Sequence, residues 1–190
     1  MKLMDWNIEW MNNWFEGNGL VKWRESHTGI AKVAALAQRV ANVITAVDPD
    51  VVTIQEGPSD PREMDLFIGD FLSDEQGQPL FDAFGGLDGR AQKPYILVKR
   101  GGALLNPRLA GDDLTKDLFE EWMADVNGDA YLEPYDFTRD PLVLDGELRD
   151  TNEFIRIITL HTKSKYVNEQ RKMWEDPDRR QDFIVAALEN

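Results

Sequence analysis

Apolar positions along this chain fall into two rhythms. Residues 2–8 alternate apolar with polar at the period of a strand. Asn7 and Glu9 share a parity and would project to one face if that strand ran so far. Over residues 30–47 the positions Ile30, Val33, Leu36, Ala37, Val40, Val43, Ile44 and Val47 recur at helical spacing, and Asp48-Pro49-Asp50 ends the helix. Residues 51–54, Val-Val-Thr-Ile, are rich in β-branched side chains and read as a buried strand that runs out at Gln55-Glu56, before Gly57-Pro58. Between the first strand and the helix, residues 10–29 carry Asn12, Asn13, Gly17, Asn18, Gly19 and Gly29. They read as a long loop anchored by Trp14, Phe15 and Trp23.

Further along, Asp60-Pro61-Arg62-Glu63 predicts a helix start, with Asp60 as N-cap, Pro61 in the first turn and Glu63 closing a capping box. Met64, Phe67, Ile68 and Phe71 supply its apolar face. Phe84-Gly85-Gly86 and Asp88-Gly89 mark turns before a strand over residues 95–100, and Gly101-Gly102 predicts a tight hairpin into 103–105. An amphipathic helix is expected over 114–123 on Leu114, Leu118, Phe119 and Trp122. Strands over 141–144 and 153–160 are joined by a turn near Asp145-Gly146. Asp176-Pro177 opens a last helix with Phe183, Ile184, Ala187 and Leu188 on its apolar side. Strand, helix and strand followed by mixed elements imply an α+β fold, a layered sandwich of β-sheets flanked by helices, over one domain of residues 1–190.

Composition narrows the chemistry. In 190 residues, 42% hydrophobic and 10% aromatic content supports a folded core. The absence of cysteine excludes disulfides and thiolate metal sites. With only His27 and His161, a multi-histidine zinc centre is not expected, whereas a hard cation on oxygen ligands stays open. A net charge of −14 opposes loose attraction to nucleic acid or an anionic membrane, but not a phosphate held through a divalent cation. No apolar run reaches membrane-spanning length and no leader precedes the first strand, so a soluble, cytoplasmic protein is the expectation.

A carboxylate at the mouth of a buried strand is held rigidly, which suits Glu56 to a cation; an acid solvated at a strand end is the other reading. Four stretches stand in order: Trp6-Asn7-Ile8-Glu9, residues 49–56 ending in Gln55-Glu56, Phe137-Thr138-Arg139-Asp140-Pro141-Leu142-Val143, and Ile158-Thr159-Leu160-His161-Thr162-Lys163-Ser164. Together they resemble the endonuclease/exonuclease/phosphatase superfamily, which includes pancreatic-type deoxyribonucleases, abasic-site endonucleases, sphingomyelinases and inositol-polyphosphate phosphatases. The resemblance implies two β-sheets covered by helices, with the site at the strand ends on one side. It implies divalent-metal-dependent hydrolysis of phosphoester bonds with Mg2+ or Mn2+, of phosphodiesterase or nuclease type. A phosphomonoesterase acting on a small or lipid-linked substrate, or a non-catalytic binding module, is the alternative.

By the same resemblance Glu56 matches the metal-binding glutamate and Asn7 the asparagine beside metal and phosphate. Glu9 falls where some members place a second acidic metal contact. Arg139 matches an arginine near the phosphate, a task suited to a planar, permanently charged fork; pairing with Asp136 or Asp140 is its other reading. His161 matches the histidine that serves phosphate or leaving group in the deoxyribonuclease branch. The substrate is then a nucleic acid or a small or lipid phosphate.

The family's later Gly-Asp-x-Asn and Ser-Asp-His stretches do not occur, and the last helix meets Asn190 without a capping glycine. The expectation is therefore an N-terminal part, incomplete at the C-terminus, nearly inactive alone and self-associating through an exposed sheet. Gln92 and Lys93 stand where some deoxyribonucleases carry a carboxylate partner for the histidine, so His161 needs another. Two weaker candidates fall away. Asp125-Val126-Asn127-Gly128-Asp129 departs from a calcium loop at Ala130 and Asp136, and Lys163, Lys165, Arg171 and Lys172 read as solvated charge.

Overall fold

Along the central strand, successive side chains serve two different cores. The computed structural model describes residues 1–17, 19–27, 29, 32–86, 92–111, 115, 120–125, 128, 130–135, 140–161, 174–181 and 184. In β4 (Val51–Gly57), Val52 and Ile54 join one apolar cluster while Val51 joins the other. β6 (Lys93–Lys99) divides in the same way, with Tyr95 and Leu97 on one side and Ile96 and Val98 on the other. A strand buried on both faces reads as a continuous apolar run, which is why 51–54 was visible without alternation. β1 (Leu3–Asn7) lies parallel to β4, and β5 (Phe81–Gly85) completes a sheet of order β1-β4-β6-β5.

One face of this sheet carries the helices. α1 (Val33–Val47) buries Val33, Ala37, Val40, Ala41 and Ile44. Val43 and Val47, expected on its apolar face, are exposed. α2 (Pro61–Phe71) starts at the predicted capping box: Arg62 N donates to Asp60 Oδ1 at 2.9 Å and Asp60 N to Glu63 Oε2 at 3.2 Å. Met64, Phe67 and Ile68 are buried beneath it. The other face packs through Val51, Ile96, Val98, Leu104, Leu144 and Ile157 onto a second sheet, β11-β10-β7. Its strands are β7 (Leu104–Leu109), β10 (Leu142–Leu148) and β11 (Phe154–Thr159). The layered α+β sandwich is therefore as expected.

Several local expectations fail, each for a physical reason. Residues 10–29 are not a plain loop. A 3-10 turn (Met11–Trp14) leads into the hairpin β2 (Phe15–Gly17) and β3 (Leu20–Trp23), pinned by fully buried Met11, Trp14 and Phe15. Gly101-Gly102 makes no hairpin, because β6 pairs with β4 and β5 whereas β7 pairs with β10; the glycines carry the chain from one sheet to the other. Asp145-Gly146 is not a turn, since β10 runs through it to Leu148 and turns at residues 149–151. A Cβ at Gly146 would stand 2.6 Å from Leu104 Cδ1, so this glycine serves close packing across a bulge. Phe81–Gly85, passed over apart from its closing turn, is a strand.

The chain divides into two compact units, Met1–Thr115 with Arg139–His161, and Lys116–Thr138 with Thr162–Asn190. In the second, β8 (Trp122–Ala124) and β9 (Glu133–Tyr135) form a hairpin where the end of a helix was expected. Asp125 accepts from Gly128 N at 2.7 Å and Ala130 N at 2.9 Å. At Asp176-Pro177, where a last helix was expected to open, a 3-10 turn (Pro177–Arg179) begins, and the Asp176 carboxylate accepts from Asp178 N at 3.0 Å. Ile30, the Asp88-Gly89 turn, Leu114, Leu118, Phe119, Lys163, Lys165, Arg171, Lys172, Phe183, Ala187 and Leu188 lie outside the described residues.

Candidate active site

The C-terminal ends of β1, β4 and β11 and the N-terminal end of β6 meet at one edge of the sandwich. β4 reaches this edge through an irregularity. Ile54 pairs with Tyr95 and Gly57 with Lys93, so Gln55 and Glu56 together oppose a single residue of β6. That is a β-bulge, and Glu56 within it has a left-handed φ of 59°. Strict alternation would place Glu56 on the face opposite Gln55. The bulge instead brings its carboxylate to Asn7, the register partner of Gln55 on β1. Gly57 makes the bulge possible, because a Cβ there would lie 2.8 Å from the Lys93 carbonyl and against the Tyr95 ring.

The Glu56 carboxylate is held from several sides. Oε2 accepts from Trp10 N at 2.9 Å and from Gln92 Nε2 at 3.3 Å, and Oε1 from Asn7 Nδ2 at 3.3 Å. His161 Nε2 lies 3.5 Å from Oε1, close enough for an ion pair when the imidazole is protonated. The two side chains are only 12% and 15% exposed, so little water screens them. Glu9, Trp10 and Gln92 share the left-handed conformation with φ of 49°, 60° and 81°. Half of the eight non-glycine residues with positive φ among the described ones thus gather here. Such backbone costs about 1–2 kcal/mol per residue and persists where surrounding structure imposes it.

Three expected residues, Asn7, Glu56 and His161, come together. Glu9 does not follow its parity argument: β1 stops at Asn7, and the contact it makes with the cluster is its backbone N–H donating to Asn7 Oδ1 at 2.9 Å. That bond fixes the Asn7 amide with its NH2 toward Glu56. Arg139 lies outside the described residues, as does Asp136. The partner sought for His161 is Glu56 itself, while Gln92, at the position where a carboxylate was considered, donates to the same Glu56. The residues missed are Gln55, Asp5 and Thr159, a hydrogen-bonded group directly behind the site. Their signal was available in the parity of Asp5 with Asn7 and of Thr159 with His161.

Beside the cluster a cavity of about 680 Å3 is lined by Trp6, Asn7, Trp10, Trp14 and His27 among others. His27 Nδ1 is 3.0 Å from Arg24 Nη1, so this histidine is engaged away from Glu56. Trp14 is 1% exposed and its indole N–H is buried with no acceptor among the described residues.

The donor set bears on which cation could sit here. Among the described residues no three His, Asp or Glu side chains group as a cation cage. Glu56 offers one carboxylate, and the Asn7 amide beside it turns its NH2 to that carboxylate and its oxygen to Glu9 N–H. A single carboxylate fits magnesium, which keeps several waters and binds through one or two carboxylates with phosphate, and fits zinc or calcium poorly.

No family model matches the chain, and no curated protein does either. Solved structures do. TDP2 from Caenorhabditis elegans matches at 14% identity and TM-score 0.44, over 97% of this chain and 41% of that one. D. rerio TDP2 complexed with single strand DNA product matches at 13% and 0.43, over 97% and 54%. A mannosyl-6-phosphatase from Bacteroides thetaiotaomicron matches at 13% and 0.45, over 92% and 59%. The chain spans roughly half the length of these structures. Among the described residues, no helix is long and apolar enough to cross a membrane. The chain is similar, over nearly all of its length, to part of each of these structures.

Proposed function

We propose that the cluster around Glu56 is the cation- and phosphate-binding part of a divalent-metal-dependent phosphoester hydrolase of phosphodiesterase or nuclease type. The observation that carries this reading is the bulge, which brings the Glu56 carboxylate to Asn7 and His161 at a strained backbone position. Glu56 would hold Mg2+ or Mn2+, with Asn7 beside it. Bound there, the cation would supply charge to polarise a phosphate and stabilise a leaving oxygen. The chain's own groups do the rest. Trp10 N–H and Gln92 hold the carboxylate in one orientation, Glu9 N–H holds the Asn7 amide, and His161 can keep or pass a proton at Nε2. Arg139 is assigned to the phosphate by the sequence resemblance.

Mn2+ binding followed by electron paramagnetic resonance, together with Mg2+-dependent cleavage of bis-p-nitrophenyl phosphate, tests this reading. Glu56→Gln keeps the side chain's shape and removes its charge, and is expected to weaken Mn2+ binding by at least about tenfold. Equal Mn2+ affinity in both proteins refutes the assignment of Glu56. A phosphomonoesterase acting on a small or lipid-linked substrate is the second reading. It is favoured by the net charge of −14 and by the aromatic-lined cavity opening beside Asn7, which suits a compact apolar substituent better than a polyanion. Comparing p-nitrophenyl phosphate with its diester separates the two.

A further inference from the structure

Behind the three site residues lies a hydrogen-bonded polar group, buried at Gln55, Thr159 and Thr53 and open to solvent at Asp5 on the edge strand β1. Gln55 is 7%, Thr159 3% and Thr53 3% exposed. The side-chain nitrogen of Gln55 carries two hydrogens, and both are used. One goes to Asp5 Oδ1 on β1 at 2.7 Å, the other to Thr159 Oγ1 on β11 at 3.1 Å. Thr53 Oγ1 donates to the same Asp5 oxygen. The spacing is what matters. Asp5 lies two residues before Asn7, Thr159 two before His161, and Gln55 one before Glu56. A single primary amide therefore ties together the three strands that present the site, and does so across the gap between the sheets. An apolar residue could fill the volume of Gln55 but would make neither bond.

We infer that Gln55, acting with Thr159 and Asp5, is a positioning residue that sets His161 against Glu56. This rests on the reading of Glu56 and His161 as parts of one site. Removing the Thr159 hydroxyl leaves the apolar packing between Val51, Ile96 and Ile157 in place but unties the bond across the sheets. His161, beyond the end of β11, then loses its fixed relation to the Glu56 carboxylate.

The test uses the whole chain at one fixed pH. Ring signals of His161 and His27 are recorded by 1H–13C correlation and told apart with His161→Gln. Thr159→Val and Gln55→Met are each expected to move the His161 signals about as far as Glu56→Gln does, while His27 stays in place. Mn2+ affinity is expected to fall by about tenfold in both, the usual consequence of losing a group that orients a ligand. Thr159→Ser, which restores the hydroxyl, should restore both readouts. His161 signals unchanged in Thr159→Val, no rescue by serine, or an equal movement of His27 overturns the inference. If wild-type protein binds no Mn2+, the hydrolase reading fails, and the ring signals still decide the positioning role. If Gln55→Met does not fold, Thr159→Val with its serine control decides it.

Discussion

The backbone at Glu56 can be separated from its side chain by two substitutions. Glu56→Ala and Glu56→Gly both delete the carboxylate, and with it the same contacts to Trp10 N, Asn7, Gln92 and His161. Those losses cancel when the two variants are compared with each other. What remains is one Cβ at φ 59°. A left-handed L-residue costs about 1–2 kcal/mol, which alanine retains and glycine relieves. Glycine's wider freedom in the unfolded chain returns roughly 0.5–1 kcal/mol of that. Glu56→Gly should therefore be more stable than Glu56→Ala by about 1 kcal/mol, or about 2–4 °C in melting temperature for a chain of this size. Urea unfolding of both, with equal denaturant slopes, measures the difference directly. Alanine matching or exceeding glycine would refute the account, since the bulge would then be held by side-chain contacts and not against backbone strain.

Two further outcomes follow from the same geometry. Gly57→Ala would place a Cβ 2.5 Å from Tyr95 Cδ2 and 2.8 Å from the Lys93 carbonyl. Tyr95 is buried and its hydroxyl donates to Pro58 O at 3.0 Å, so it has little room to yield; thermal melting should show a loss of about 1–3 kcal/mol. Asp145 is held below the usual aspartate range by Arg156, which bonds it at 2.7 and 2.9 Å. A depressed carboxyl contributes stability that is full above its unfolded pKa and lost as pH falls through its folded pKa. Asp145→Asn should therefore be less stable than wild type at neutral pH, with the gap closing in acid; a gap that stays constant down through the carboxylate range contradicts the pairing.

Apolar periodicity made the layers legible. The helical run into Val47, the buried run at Val51 and the capping box at Asp60 each obey one local rule, and each stands where that rule puts it. What escaped depends on pairing between distant residues. Gly101-Gly102 and Asp145-Gly146 both carry hairpin signals, yet only strand partnership decides that the first crosses between sheets and the second lies inside a strand. The β2–β3 hairpin was hidden because its residues are anchored by aromatic contacts, Phe15 to Trp23 at 4.7 Å and Trp23 to Phe71 at 5.3 Å, and not by alternation. In the site, Asn7, Glu56 and His161 were legible as types at strand ends. The contact between His161 and Glu56 was not, because no spacing along the chain reports the distance between two sheets.

A change of polarity along the strands nevertheless pointed to that edge. On the face of β1 turned toward β4's polar side chains the order is Leu3, Asp5, Asn7; on β4 it is Val51, Thr53, Gln55; on β11 it is Ile155, Ile157, Thr159, followed by His161. Each series turns from apolar to polar toward the same edge of the sandwich. On β4 and β11, where Thr53, Gln55 and Thr159 are buried, each polar group must be matched by a partner or cost about 1–3 kcal/mol, whereas the β1 series is exposed from Leu3 through Asn7. Here the partners are supplied, Gln55 to Asp5 and to Thr159, and the chain then adds a strained bulge so that Glu56 joins them. Strand parity alone is therefore enough to locate the edge, and the bulge explains why it could not locate Glu56. Read as a face of β4, residue 56 belongs with Val52 and Ile54 under the helices, and only the left-handed turn before Gly57 moves its carboxylate out of that layer and into the site.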